Sequence, residues 1–325
     1  MRELKGKCKT FIELYSFFVI LYHFIYASGL LSWLGITIGG IHPAISVGLI
    51  LSILYLLFPY SKKTQQTGIP WYDWILAILC LIPTGYYALN YEMLLYSALT
   101  PTDFEVVLGV VMIILCIEGV RRAIGLPLVI CGLIFVIYPL VANSLPGILF
   151  AAPVKFRRLI GYIYLGSQGF FSAGAQVFST TIITFVIFGQ LIAISGGGDF
   201  FLNLSLSAMG GRNGGPAKAA TIGSGLFGMI SGVAVANVVT TGSITIPMMK
   251  RKGYSPEFAG AVETVASTGG ALMPPVMGAL AFIMADYMGV PYWQIASAAI
   301  IPAVLYYVAV YLQVSFYSSR HRLGG

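Results

Sequence analysis

The sequence predicts an all-α polytopic membrane protein with about seven to nine spans, a re-entrant helical hairpin and a discontinuous helix. Composition is the first ground. Of 325 residues, 58% are hydrophobic and 9% charged, whereas a soluble domain carries about 25% charged residues. The second ground is the length of the apolar runs that contain no Lys or Arg. The third is the clustering of the basic residues between those runs, at Arg2/Lys5/Lys7/Lys9, Lys62/Lys63, Arg121/Arg122, Lys155/Arg157/Arg158, Lys250/Arg251/Lys252 and Arg320/Arg322. Within a formal charge of +7, that pattern marks the cytoplasmic loops of a chain that partners the lipid bilayer. Almost no soluble surface remains for a basic stripe, so no nucleic-acid partner is expected.

Candidate spans lie near 12–31, 42–59, 73–90, 104–120, 125–142, 176–195 and 292–317. No small-residue cleavage site follows the first run, which therefore reads as a retained span. Trp33, Tyr60, Trp71, Tyr72, Trp74, Tyr292 and Trp293 stand at the ends of runs, as in an interfacial aromatic belt. The charges place the N-terminus, Lys62/Lys63 and Arg121/Arg122 inside, and 32–41, Glu92 and Asp103 outside. A fifth span would leave 143–154 outside, yet Lys155/Arg157/Arg158 follow with no clear span between. Either that cluster breaks the rule or 155–175 is an interfacial arm. Phe156, Leu159, Ile160, Ile163 and Tyr164 fit an amphipathic surface helix, which favours the arm and leaves its side open.

After residue 195 the character changes. "SGGGDFF" and "MGGRNGGPAK" are glycine-rich turns around a short apolar segment, 200–209. The stretch 216–249 is too long for one span and too rich in small and polar residues for plain lipid contact. Two half-helices meeting at a tip fit it better than the other reading, a pair of packed helices with Gly and Ser at their interface. In "KRKGYSPEF" the cations mark a cytoplasmic end, and Ser255 caps a helix with Pro256 at its first position. That helix is expected over 256 to about 267, with "STGG" and "MPP" stopping it before the pattern resumes at 276–289.

Broken helices in a membrane place backbone dipoles where they act on ions. Carbonyl ends attract cations and amide ends attract anions, an arrangement used by secondary transporters. Ser224, Ser231, Asn237, Thr240 and Thr241 offer side-chain oxygens in the hairpin, and carbonyls near its tip suit Na⁺ better. Ser267 and Thr268 flank backbone that Gly269 and Gly270 would release. Glu263 is an intramembrane acid, read equally as a functional group or as the structural partner of a hairpin amide. Glu118 and Asp286 lie near segment ends, and Glu13 at the interface.

The chain offers no acid/base set and is not expected to be an enzyme. "GSGLFGMISG" lacks the Lys of a nucleotide-binding loop. Cys8, Cys80, Cys116 and Cys131 have no metal-like spacing, and His23, His42 and His321 are scattered, so no cofactor or metal beyond Na⁺ is expected.

The segment "SGVAVANVVTTGSITIPMMKRKGYSPEFAGAVETVASTGGALMPPVMGALAFIMA" resembles the large, DctM-like permease subunit of tripartite ATP-independent periplasmic (TRAP) transporters. "WYDWILAILC", "NYE", "LGVVMIILCIEGVRRAIG", "GGGDFF" and "GGPAKAA" are similar to the fused permeases of the TAXI subgroup. The resemblance covers nearly the whole chain and is most specific over 196–314. It implies a multi-pass protein of the cell inner (cytoplasmic) membrane. Such an elevator-type permease couples uptake of an organic acid, delivered by an extracytoplasmic solute receptor, to an ion gradient, usually Na⁺. Residues 1–122 would be small-subunit-like spans, 123–195 the start of the large-subunit scaffold, and 196–325 the transport elements of one repeat. The resemblance assigns Ser231, Gly232, Val233 and Ala234 with Ser267, Thr268, Gly269 and Gly270 to an ion site. It assigns Asn237, Thr240, Thr241, Gly242, Glu263, Pro274 and Pro275 to the solute side.

Two positions depart from the family pattern, Val233 in place of Ser and Ala271 in place of Gln. The family's large subunit carries two inverted halves, and here the hairpin with its "STGG…PP" segment occurs once. The expectation is one half of an inverted-repeat elevator transporter, the N-terminal portion of a fused permease. It would work with a separate C-terminal half or as a homo-oligomer, and would be inactive alone. The rival readings are a non-transporting scaffold or degenerate remnant, which an absent second "GG…PP" set downstream would favour, and a channel, against which an adjacent receptor gene would argue.

Overall fold

The computed structural model describes residues 2, 4–35, 38–61, 68–97 and 100–323; Lys62 and Lys63 lie outside them. Among the described residues every regular element is a helix. The chain divides into two compact units, Met1–Thr180 and Thr181–Gly325.

The first unit contains α1 (Lys7–Ala27), α2 (His42–Leu57), α3 (Trp71–Leu89), α4 (Asp103–Ala123) and α5 (Leu126–Val141). Thr102 and Glu105 form a capping box at the start of α4, with the Thr102 amide donating to Glu105 Oε2 at 2.6 Å. The α2–α3 approach is close because Gly48 leaves no room for a Cβ beside Thr84. At one end of these helices Asp73, fully buried, pairs with Arg2 and with Arg122 at 2.6 Å, and Arg122 pairs with Glu118 at 2.7 Å. A lone buried charge is costly in so apolar a body, and this shared carboxylate offsets two cations. At the opposite end of α2, His42 donates through Nε2 to the Ser179 carbonyl at 3.1 Å and accepts from the Tyr22 hydroxyl at 2.7 Å.

The 155–175 segment differs from the expected surface helix. It forms a short helix, Phe156–Ile160, a π-turn, Gly161–Leu165, and an irregular return. Leu159, Ile160, Tyr164, Leu165 and Phe171 are buried within the first unit, and the Tyr164 hydroxyl donates to the Pro83 carbonyl at 2.6 Å. Its amphipathic pattern is real, but its apolar side meets protein. These residues belong to the first compact unit, which ends at Thr180.

The chain passes between units within α6 (Ala173–Ile194). The second unit continues with α7 (Gly197–Met209), α8 (Gly215–Ser231), α9 (Ala234–Arg251), α10 (Pro256–Gly270), α11 (Ala279–Met288) and α12 (Tyr292–Arg320). α8 and α9 run antiparallel, with a turn at Gly232 and Val233, matching the expected two limbs over 216–249. Ser255 caps α10 as expected, accepting from the Phe258 amide at 3.2 Å with Pro256 in the first turn. Unlike the expectation, α10 runs through the glycines to Gly270, and the helix is interrupted over 271–278.

By length and composition, α1, α3, Leu126–Ser144, α6 and α12 are long and apolar enough to cross a membrane. α2 and α11 are apolar but shorter. α4, at 21 residues, carries Asp103 and Glu105 at one end and Glu118, Arg121 and Arg122 near the other.

Candidate functional site

The tip of the hairpin meets the interruption of the broken helix. The Val276 amide donates to the Met229 carbonyl at 3.2 Å, and the Gly278 amide closes the interruption by donating to the Ala271 carbonyl at 2.8 Å. Gly232 has φ +62° and sits so near the Met277 carbonyl that a Cβ could not be accommodated. Met277 itself has φ 63°, an uncommon conformation for a residue other than glycine. Pro274 and Pro275, joined by a cis peptide, lie in the interruption. The Tyr292 hydroxyl donates to the Pro275 carbonyl at 3.1 Å and to the Val276 carbonyl.

The electrostatics of this junction follow from helix direction. Ser224 of α8 lies beside Glu263 of α10, and Gly228 beside Gly270, so the two helices advance together. Their C-termini, Ser231 and Gly270, therefore converge at the tip and the interruption. Helix C-termini carry about half a negative charge each. α9 and α11 start from the same region at Ala234 and Ala279, contributing the opposite, amide ends. Such a junction attracts a cation on one side and an anion on the other. At the tip, Ser231 Oγ is buried with no hydrogen-bond partner among the described residues. A buried hydroxyl left so costs about 1–3 kcal/mol.

About two turns back stands a second polar cluster. Glu263 is fully buried. Its Oε1 accepts from Ser224 at 2.7 Å, Thr241 at 2.6 Å and Ser267 at 2.9 Å, and its Oε2 from Thr245 at 2.5 Å. Asn237, also buried, donates to the Ser224 carbonyl at 2.8 Å. A Cβ on Gly242 would stand 3.0 Å from Glu263 Cγ. One carboxylate thus joins both limbs of the hairpin to α10.

The sequence-assigned residues separate accordingly. Ser231, Gly232, Val233 and Ala234 form the tip, beside the segment holding Pro274 and Pro275. Asn237, Thr241, Gly242, Glu263 and Ser267 form the buried cluster. Thr240 bonds back to the Ala236 carbonyl at 2.9 Å, and Thr268 is exposed and bonds back to Thr264 at 2.7 Å. The expected release of backbone at Gly269 and Gly270 is not observed. The carbonyls of Thr268, Gly269 and Gly270 accept from Ala271, Leu272 and Met273, and the glycines serve close packing against Tyr306 and Gly228.

Thr245, Met277 and Gly228 were not singled out by the sequence. Thr241 and Thr245 stand four apart on α9, as Glu263 and Ser267 do on α10. That i,i+4 spacing of hydroxyls opposite an acid was the available signal.

Residues 110–325 match the family described as the tripartite ATP-independent periplasmic transporter, DctM component. The chain is 34% identical over 110 residues to the C4-dicarboxylate TRAP transporter large permease protein DctM of Vibrio cholerae, covering 34% of this chain and 24% of that protein. It is 31% identical over 160 residues to the isethionate TRAP transporter permease protein DctMQ of Oleidesulfovibrio alaskensis, covering 49% and 22%. A Salmonella typhimurium protein called YgiK is 28% identical over 137 residues, covering 42% and 31%. The chain thus spans less than a third of the length of each of these relatives. No solved structure matches it.

Proposed function

The chain belongs to the DctM family of tripartite ATP-independent periplasmic transporter permeases, and on that premise we propose that it is a permease component of an ion-coupled secondary transporter of the inner membrane. Na⁺ is the proposed coupling ion. It would sit where the C-termini of α8 and α10 converge, with Ser231 and the carbonyls of the tip as ligands. The observation that carries this reading is the buried Ser231 Oγ at that convergence, without a hydrogen-bond partner among the described residues. A weakly directional cation of this kind is satisfied by hydroxyl and carbonyl oxygens, and the site needs no carboxylate in contact with it.

The solute is proposed to be an organic acid, held at the amide ends of α9 and α11. C4-dicarboxylate and isethionate, the solutes named for relatives, are both small organic anions of this class. A solute receptor outside the membrane delivers it in this scheme, and the hairpin and broken helix move as the carrier element of an elevator. The hairpin is then re-entrant, entering and leaving on one side. A TAXI-type fused organisation, with the first unit as scaffold, fits the small-subunit-like motifs of its spans. A second permease half or a second copy of the chain would complete the solute site.

Reconstitution in proteoliposomes tests this function. Receptor and radiolabelled succinate are added, with and without a supplied C-terminal permease half. Accumulation under an inward Na⁺ gradient, abolished when K⁺ replaces Na⁺, is expected with the half present. Ion-independent leak would favour a channel, and no uptake in any combination a scaffold.

A further inference from the structure

The buried Glu263 carboxylate is too far from the tip to bind an ion there. Ser224, its neighbour on α8, precedes Ser231 by seven residues, about 10 Å along a helix. The side chains that bond it, Ser224, Thr241, Thr245 and Ser267, are all hydroxyl donors, and no cation lies within ion-pairing distance of it among the described residues. An ionised carboxylate is acceptor-only, and four converging donors suit it. The other buried charge of the second unit, Lys218, lies six residues before Ser224 on α8, away from the tip, over the Tyr311 ring. Glu263 thus sits in a shell of hydroxyls with no cation in ion-pairing distance among the described residues, and the convergent carbonyl ends of α8 and α10 lie about two turns away.

We propose that Glu263 is the buried countercharge of the hairpin-tip cation site, a positioning residue that raises cation affinity through space without touching the ion. The inference rests on the tip being a cation site, as proposed above. A unit charge about 10 Å away acts strongly through an interior of effective dielectric about 20. Removing it should weaken Na⁺ binding by about tenfold, equivalent to about 1.4 kcal/mol. The hydroxyl shell has its own part. It stabilises the charge without neutralising it, which a salt bridge to Lys or Arg would do.

The test is Na⁺-dependent thermal stabilisation of the purified full chain, titrated with NaCl at constant total NaCl plus KCl. Glu263→Gln keeps the shape. Its amide oxygen still accepts from Ser224, Thr241 and Ser267, and its amide nitrogen can donate to Thr245, so charge is the main loss. The expected result is a melting temperature without Na⁺ close to wild type and a Na⁺ half-saturation about tenfold higher. Glu263→Asp, which keeps the charge, should return it to within about threefold of wild type. An unchanged half-saturation in Glu263→Gln overturns the inference and leaves Glu263 a purely structural clamp. If that variant does not fold, Thr245→Val decides. It keeps Glu263 and removes the one donor to its Oε2, so a raised half-saturation supports the countercharge, whose charge the donor holds in place, and an unchanged one overturns it. A wild type that does not respond to Na⁺ sinks the cation site itself, and with it this inference.

Discussion

A methyl group placed on Gly228 would stand 2.6 Å from the Gly270 Cα, and one on Gly270 would stand 2.5 Å from the Gly228 Cα. Backbone faces backbone there, so neither side can rotate away. Gly270→Ala should therefore lower stability by about 1–3 kcal/mol, read as a fall in the thermal midpoint in detergent. Gly260, on the same helix with open space at its Cβ position, is the control. There, alanine should be neutral or stabilising, by up to about 1 kcal/mol. The sequence marked Gly269 and Gly270 as special but for another reason. Glycine permits both unwinding and close approach, and only the partner across the gap distinguishes them. Glu263 was legible as an intramembrane acid. Its hydroxyl partners come from three helices, so no local window could assemble them.

The hairpin and the interrupted helix depend on a turn that only glycine fits. Gly232 combines a positive φ with the Met277 carbonyl at its Cα. Gly232→Ala must strain the tip or push it off the 271–278 segment. The expected outcome is a modest loss of melting temperature with most of the Na⁺-dependent stabilisation gone. A normal Na⁺ response would show that tip and interruption need not meet. At this scale the sequence was informative where turn and cap chemistry is local. Ser255 and Pro256 fixed the start of α10, and the proline pair fixed the region of its interruption. The 155–175 segment was harder to read. Its apolar face had two possible partners, lipid or the first unit, and periodicity reports only that a face is apolar.

Over the whole chain, membrane character was the most legible property, because 9% charged residues and long uncharged runs leave few alternatives. The burial of residues 159–171 within the first unit was less so, because it is a long-range event. In the cation site proposed for the second unit, two helix C-termini, one hydroxyl with no partner among the described residues and one distant carboxylate would act as a single electrostatic arrangement. Equilibrium binding of radioactive sodium to the purified chain tests that arrangement most directly, with competition by unlabelled Na⁺ or K⁺, in wild type and in Ser231→Ala. The account predicts saturable binding displaced by Na⁺ far better than by K⁺, and weakened about tenfold or more in the variant, the loss of a ligand worth about 1.4 kcal/mol. Equal sodium binding by the two proteins, or equal displacement by K⁺, would contradict it.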